Sequence, residues 1–192
     1  VTLSGEDQVS YGERTILDHS AGEISTTDAA VLLDAVKDVF EDNMYQFYIG
    51  TSYRHLLIWN KGEVLELVAP HDILGQKIGS YLPKDERLLE MMEKSFSILN
   101  SHPINIERAK QGLHKANSIW FWGAGTRPAL HSFQEKTGLK GAMISAVDLL
   151  KGIAVGASMK NIIVEGANGG LHTNYEGKAQ AAVDVLTKEG YD

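Results

Sequence analysis

A few polar residues stand where their surroundings make them costly, and these are where chemistry is sought first. Arg54 and His55 interrupt the apolar run from Tyr53 to Trp59. A charged side chain is expensive to bury without a partner, so this pair is expected at a sheet face or strand end. An arginine so placed can fork onto a phosphate or a carboxylate; an internal ion pair is the alternative. His71 and Asp72 lie in the loop Ala69-Pro70-His71-Asp72-Ile73-Leu74-Gly75. No further ligand stands nearby at a metal-binding spacing, so the plain reading is a loop histidine tuned or capped by its aspartate. Lys151 ends a predicted helix whose N-cap is Ser145, where a cation complements the helix dipole. Gly166-Ala167-Asn168-Gly169-Gly170 follows a predicted strand, at the kind of edge where open α/β sheets bind ligands. Its N–H groups form either an anion nest or an ordinary turn. Gly123-Ala124-Gly125 begins a dinucleotide fingerprint, but the third glycine position holds Pro128, so a tight strand exit explains it better. Neither a Ser-His-Asp order nor a paired-histidine metal motif is recognisable. Spacing alone therefore predicts a fold without a reaction.

The elements that must position these residues fall into two unlike parts. Ser25-Thr26-Thr27-Asp28 fits a capping box, and Ala29, Leu32, Leu33, Val36, Val39 and Phe40 recur behind it with helical period. Tyr45, Phe47 and Ile49 alternate as in a half-buried strand. Tyr53 to Trp59 reads as a central strand, with Asn60-Lys61-Gly62 as a turn and Val64 to Val68 as its hairpin partner. Residues 70–83 form a glycine-bearing loop. A second helix is predicted over residues 85–100, with Leu88, Leu89, Met92, Phe96 and Leu99 inward, a short third over 106–115, and a strand over 119–122. Residues 1–122 are thus predicted to be an α+β, ferredoxin-like domain. From Gly123 the pattern alternates: helix (130–136), strand (141–145), helix (146–155), strand (161–164), then a helix from Asn174 opened by the capping box Thr173-Asn174-Tyr175-Glu176. That alternation implies part of a doubly wound parallel sheet over residues 123–192, and the chain as a whole is α/β.

Composition narrows the classes. The 192 residues are 43% hydrophobic and 22% charged, as in ordinary globular proteins, with a formal charge of −7. No basic cluster is present, which argues against a nucleic-acid partner. The absence of cysteine excludes disulfides, a thiolate zinc site and a cysteine nucleophile, and suits a reducing cytoplasm. No stretch approaches the roughly 20 apolar residues of a membrane helix, and no signal-peptide pattern opens the chain. Val1-Thr2-Leu3 reads like the tail of a strand, and Gly190 like a helix C-cap ahead of another strand. Both suggest a segment of a longer protein.

Several longer strings add a resemblance. They are Ala69 to Gly75 with Tyr81-Leu82-Pro83, Ser101-His102-Pro103-Ile104-Asn105, Ala116-Asn117-Ser118-Ile119-Trp120 with Trp122-Gly123-Ala124-Gly125, Ser145 to Ile153, and Thr173 to Ala179. In this order they cover nearly the whole chain. The sequence resembles the archaeal-type cofactor-independent phosphoglycerate mutase family of the alkaline phosphatase superfamily, one bacterial branch of which has been proposed to act as homoserine kinase. The resemblance implies that residues 1–122 are a substrate-side domain inserted into a metal-dependent phosphatase-type domain, of which residues 123–192 are one stretch. It further implies phosphoryl transfer through a phosphoserine, assisted by two divalent ions (Mn, Zn or Mg), with serine and metal ligands outside this segment, which by itself is inactive. Arg54 is similar to an arginine on the insert's substrate face and Lys151 to a lysine near the phosphoryl group; Arg127 and His71 are further candidates. Relatives often read Asp-Arg-Arg-Ala-Gly-Arg where this chain has Asp18-His19-Ser20-Ala21-Gly22-Glu23. The loss of three arginines suits a zwitterionic amino alcohol better than a phosphoglycerate, unless those arginines are structural, and it makes His19 a candidate for specificity. The implied partners are a small phosphorylated acid or homoserine and the rest of the polypeptide. A non-catalytic binding or assembly module is the rival reading from another class.

Overall fold

Helix starts are set by side chains that accept the first free N–H groups. The structure, a computed structural model, describes residues 1–5 and 8–192. Ser25 accepts from the Asp28 N–H and starts α1 (Thr26–Phe40); Asp85 accepts from the Leu88 N–H and starts α2 (Glu86–Leu99). Such caps contribute about 1 kcal/mol each. α3 (Pro103–Lys110) begins earlier than its apolar pattern suggests, because Pro103 fits a first helical turn and His102 Nδ1 accepts from the Ile104 N–H. The short strands β1 (Thr2–Leu3) and β2 (Ile16–Asp18) pair antiparallel, and β3 (Tyr45–Ile49) pairs antiparallel with β4 (His55–Trp59). The chain divides into two compact units, residues 1–126 and 127–192.

In the first unit α1, α2 and the inner face of β3 enclose one core, with Leu32, Leu33, Val36, Phe40, Phe47, Leu88 and Met91 buried. Each such side chain contributes about 1.5–3 kcal/mol by leaving water. Val39, predicted to face inward, is 53% exposed, because the α1 stripe runs through positions 29, 32, 33, 36 and 40. A second cluster joins Leu3, Ile16, Ile73, Ile78 and Phe96.

Two predicted strands do not form. The partner of β4 is β3, in register from Tyr45 opposite Trp59 to Ile49 opposite His55. Residues 64–68 run without ladder bonds, and the Val68 carbonyl accepts from the Trp120 indole N–H at 2.8 Å instead. Residues 119–122 are likewise irregular. Leu65, Val68, Ile119, Trp120 and Phe121 nonetheless pack on the two cores, so their apolar character serves packing and not pairing. A ferredoxin-like arrangement would need one four-stranded sheet; among the described residues the first unit has two separate two-stranded sheets.

Beside β1, side chains replace a third strand. Asn117 Oδ1 accepts from the Leu3 N–H at 2.8 Å and its Nδ2 donates to the Leu3 carbonyl at 2.9 Å. Asn105, fully buried, donates to the Leu99 and Ala116 carbonyls and accepts from the Ala116 N–H. A free Val1 amine donates to the Ser118 carbonyl at 3.0 Å. Burial pushes that amine down to about 6 from 8.0, against a smaller opposing pull from Asp18. The unfolded chain therefore takes up this proton below pH 8 while the folded chain resists it until pH 6. We expect a 192-residue chain with a free Val1 amine to gain about 2 kcal/mol from this group between pH 6 and pH 8. Urea midpoints at both pH values measure the gain, and a chain extended before Val1 should lack it.

The second unit holds α4 (Phe133–Thr137), β5 (Ala142–Ile144), α5 (Asp148–Gly156), β6 (Lys160–Ile162) and α6 (Tyr175–Lys188). β5 and β6 pair in parallel, with Met143 opposite Asn161, and α5 connects them, as the alternating pattern predicts. Two local expectations fail. The N-cap of α5 is Val147 and not Ser145, whose hydroxyl instead accepts from the Val147 N–H just ahead of the helix. The cap of α6 is Asn174, accepting from the Gly177 N–H, which frees Thr173 for the preceding loop.

Candidate functional site

Three turns of the first unit carry one continuous run of rings. β2 ends at Asp18 and delivers His19. The turn between β3 and β4 carries Tyr53 and Arg54. A single 3-10 turn, Pro70–Ile73, carries His71. These turns are fixed to one another by the backbone. Ile16 N–H donates to the Gln76 carbonyl and Gly75 N–H to the Ile16 carbonyl, which holds the His71 turn beside β2. Ser52 donates from its N–H to Thr26 Oγ1 and from its hydroxyl to the Ile24 carbonyl, holding the hairpin turn against the start of α1.

The side chains then meet edge to face. Arg54 lies 4.2 Å over the Tyr53 ring and donates to the Tyr53 hydroxyl at 2.6 Å. The His19 ring is 5.5 Å from Tyr53 and 5.9 Å from His71, and His71 is 5.3 Å from Trp122. These separations lie within the range of favourable ring contacts. Arg54, His71 and Trp122 are exposed; His19 and Tyr53 are half-buried. Among the described residues nothing hydrogen-bonds His19 Nδ1, although that atom is buried. A buried ring nitrogen without a partner is uncommon and marks a place able to receive one. Arg54 precedes β4 instead of interrupting it, so its guanidinium needs no interior ion pair. His71 and Asp72 stand 3.8 Å apart on the 3-10 turn.

The loop carrying His19 is strained. Ala21, Gly22 and Glu23 have φ of 52°, 67° and 51°, three successive left-handed residues of which only glycine adopts that region freely. The conformation costs about 1–2 kcal/mol at each of the other two. Asp18 offsets this by accepting from the Ser20 N–H and hydroxyl through Oδ1, and from the Gly22 N–H through Oδ2. His114 Nδ1 stands 2.7 Å from Oδ2. Partial burial pushes the Asp18 carboxyl up, but the bonds from Ser20, His114 and Gly22 outweigh it and hold the group well below the usual carboxylate range.

The second unit carries the other two predicted residues. Lys151 lies in the second turn of α5, not its last, and sits 3.4 Å from the Asp148 carboxylate one turn earlier. That position removes the dipole explanation for the lysine. Arg127 is exposed in the extended stretch before α4. The glycine-rich loop after β6 uses its own N–H groups. Asn168 and Gly169 donate to Thr173 Oγ1, and Gly170 donates to Asn168 Oδ1, which leaves no open anion nest at those three amides. A concavity of about 250 Å³ elsewhere in this unit, lined by Lys140, Glu189 and Tyr191, contains none of the predicted site residues.

The first-unit cluster offers a guanidinium fork and two imidazoles beside aromatic faces, a set suited to an anionic or hydroxyl-bearing small molecule. It has no metal centre: among the described residues no three His, Cys, Asp or Glu side chains are placed to hold an ion.

The sequence profile of the 2,3-bisphosphoglycerate-independent phosphoglycerate mutases matches residues 1–105. The chain belongs to that family. It is 47% identical over 184 residues to a probable 2,3-bisphosphoglycerate-independent phosphoglycerate mutase of Geobacter sulfurreducens, covering 94% of this chain and 46% of the relative. It is 46% identical over 176 residues to the Methanosarcina mazei enzyme, covering 89% of this chain and 44% of that one. The chain thus spans about half the length of the curated relatives it matches. Among solved structures, the cofactor-independent phosphoglycerate mutase of Thermoplasma acidophilum aligns with a TM-score of 0.50 at 27% identity, over 90% of this chain and 48% of that one. A Pyrococcus horikoshii protein shares the mixed α/β fold, with a TM-score of 0.59 at 24% identity over 93% of this chain and 43% of its own.

Within this phosphoglycerate mutase family member, Arg54, His19 and His71 belong to one run of rings, and Lys151 and Arg127 to the second unit. Tyr53 and Trp122 went unnoticed in the sequence because each sits in an apolar run that reads as strand. Asp18, Arg108 and His114 were invisible for another reason. Their roles depend on contacts between residues more than 85 positions apart, and no local pattern records those.

Proposed function

We propose that the chain is the substrate-side half of a metal-dependent, archaeal-type phosphotransferase that interconverts 2- and 3-phosphoglycerate through a phosphoserine. In this reading residues 1–122 form the inserted domain, and residues 123–192 contribute β5, α5 and β6 to a doubly wound, alkaline-phosphatase-type catalytic domain working in the cytoplasm. What supports it is the run of contacts from Arg54 through Tyr53 and His19 to His71, in a chain 47% identical to a probable mutase. Arg54 clamps a phosphate or carboxylate oxygen and the imidazoles donate hydrogen bonds to the same anion, while Lys151 and Arg127 are the cationic candidates of the second unit. Two divalent ions, Mn, Zn or Mg, would supply serine activation and charge stabilisation, held by segments other than the described residues, which do not offer a ligand set.

Homoserine is the second reading, and one observation favours it. The loop from Asp18 to Glu23 presents no lysine or arginine, and adds the carboxylate of Glu23, which can pair with an ammonium group. Phosphorus NMR on a full-length enzyme containing this chain, with Mn²⁺, 3-phosphoglycerate, ATP and homoserine together, decides between them. Growth of a 2-phosphoglycerate signal is the expected result. Phosphohomoserine with phosphoglycerate untouched would establish the kinase instead. If neither product forms, the chain is a binding module. The 192-residue chain alone is expected to turn over neither substrate with added Mn²⁺ or Mg²⁺.

A further inference from the structure

The strained loop carrying His19 is tied down by residues from a distant part of the chain. Arg108, buried on α3, donates from Nη2 to the Ala21 carbonyl at 2.7 Å and from Nε to the His114 carbonyl at 3.0 Å, with the Asp28 carboxylate 3.5 Å from Nη1. One guanidinium therefore grips both the middle of the left-handed turn and the backbone of His114. His114 Nδ1 in turn meets Asp18 Oδ2, the oxygen that also receives the Gly22 N–H. An ionised carboxylate only accepts, so Nδ1 carries the proton in this contact. Ser20 completes the arrangement, accepting from the Glu23 N–H through its hydroxyl and from the Ile24 N–H through its carbonyl.

None of these anchors touches the His19 side chain. They bind the backbone of residues 20–24 that follow it, and the imidazole lies between Tyr53 and His71. A turn through three left-handed residues does not persist unless its surroundings over-determine it, and such strain collects where a side chain must be aimed. We infer that Asp18, His114 and Arg108 are positioning residues for His19: they hold a left-handed turn that the local sequence would not keep, and so set the imidazole in the ring cluster. This rests on the reading of that cluster as a substrate face, and gives residues outside the run of rings a role in it.

The test uses the isotopically labelled 192-residue chain and the nuclear Overhauser contacts between the His19 ring and those of Tyr53 and His71. His114→Ala should abolish both contacts while amide signals of α1 and α2 stay in place. His114→Asn, which restores an N–H donor near Asp18, should recover them. A merely structural contribution would not be rescued by one donor with the ring contacts as readout. If His114→Ala does not fold, Asp18→Asn, which keeps the volume and one acceptor oxygen, is read the same way. Ring contacts that survive in a folded His114→Ala or Asp18→Asn chain overturn the inference. Addition of 3-phosphoglycerate to the unmodified chain separates the two ideas. Shifts at His19 and His71 support the substrate face, whereas intact ring contacts with no shifts reject that reading and leave the positioning role standing.

Discussion

Replacing Arg54 with alanine in a full-length enzyme containing this chain is expected to lower kcat/KM about a hundredfold, some 2.7 kcal/mol of transition-state stabilisation. Stability should change little, since the side chain is exposed and its contact with Tyr53 is worth about 0.5–1 kcal/mol. The asymmetry follows from position. Arg54 sits on a hairpin turn whose geometry is held by Ser52 and the strand register, so truncation leaves the turn in place. Arg54→Lys should recover only part of the loss, because an ammonium cannot present the planar fork to two oxygens. Steady-state kinetics beside urea unfolding measure both quantities. Unchanged turnover per folded molecule, with stability lost, would return Arg54 to a structural role.

The largest effect on stability is expected at Asn105. Its side chain is fully buried and makes three hydrogen bonds, to the carbonyls of Leu99 and Ala116 and from the Ala116 N–H. Those backbone groups lie where α2 ends and where the chain returns from α3, and no strand is present to satisfy them. Asn105→Ala strands them in the interior and should cost about 3 kcal/mol. Asn105→Asp, nearly isosteric, should also destabilise, because a carboxylate cannot donate to the two carbonyls and is itself buried. Urea midpoints of the three chains give the comparison, and a loss under about 1 kcal/mol for alanine would mean that water takes over the orphaned groups.

Much of the scaffold was legible from one sequence, for reasons that are local. Ser25 and Asp85 begin helices because a short acceptor precedes an apolar stripe, and those two signals lie within four residues of each other. The parallel pair β5 and β6 was legible from its alternation with α5. The failures share a cause. Residues 64–68 and 119–122 have strand-like composition, but what their backbones meet is settled by partners remote in sequence, such as the Trp120 indole on the Val68 carbonyl. Asn117 likewise completes the edge of β1 with an amide side chain, which no periodicity announces. At the site, Arg54 and His71 stood out as polar residues in apolar or glycine-bearing stretches, and His19 only through the resemblance. The ring contacts joining them bridge three turns, and the charge, volume and order of the residues do not encode that meeting.

The anchoring of the turn after β2 has a consequence for how such a protein changes its preferences. The Asp18 carboxylate and the Arg108 guanidinium engage the N–H groups of residues 20 and 22 and the carbonyl of residue 21. Neither depends on which side chain residue 19 or 23 carries. The two positions are therefore interchangeable parts on a fixed mount. An arginine, a histidine or a glutamate can be exchanged there without rebuilding the turn, so the charge shown to a ligand can drift while the backbone beneath it does not. A change at position 19 or 23 would then alter what is recognised, whereas a change at Asp18 or Arg108 would alter how the turn is held.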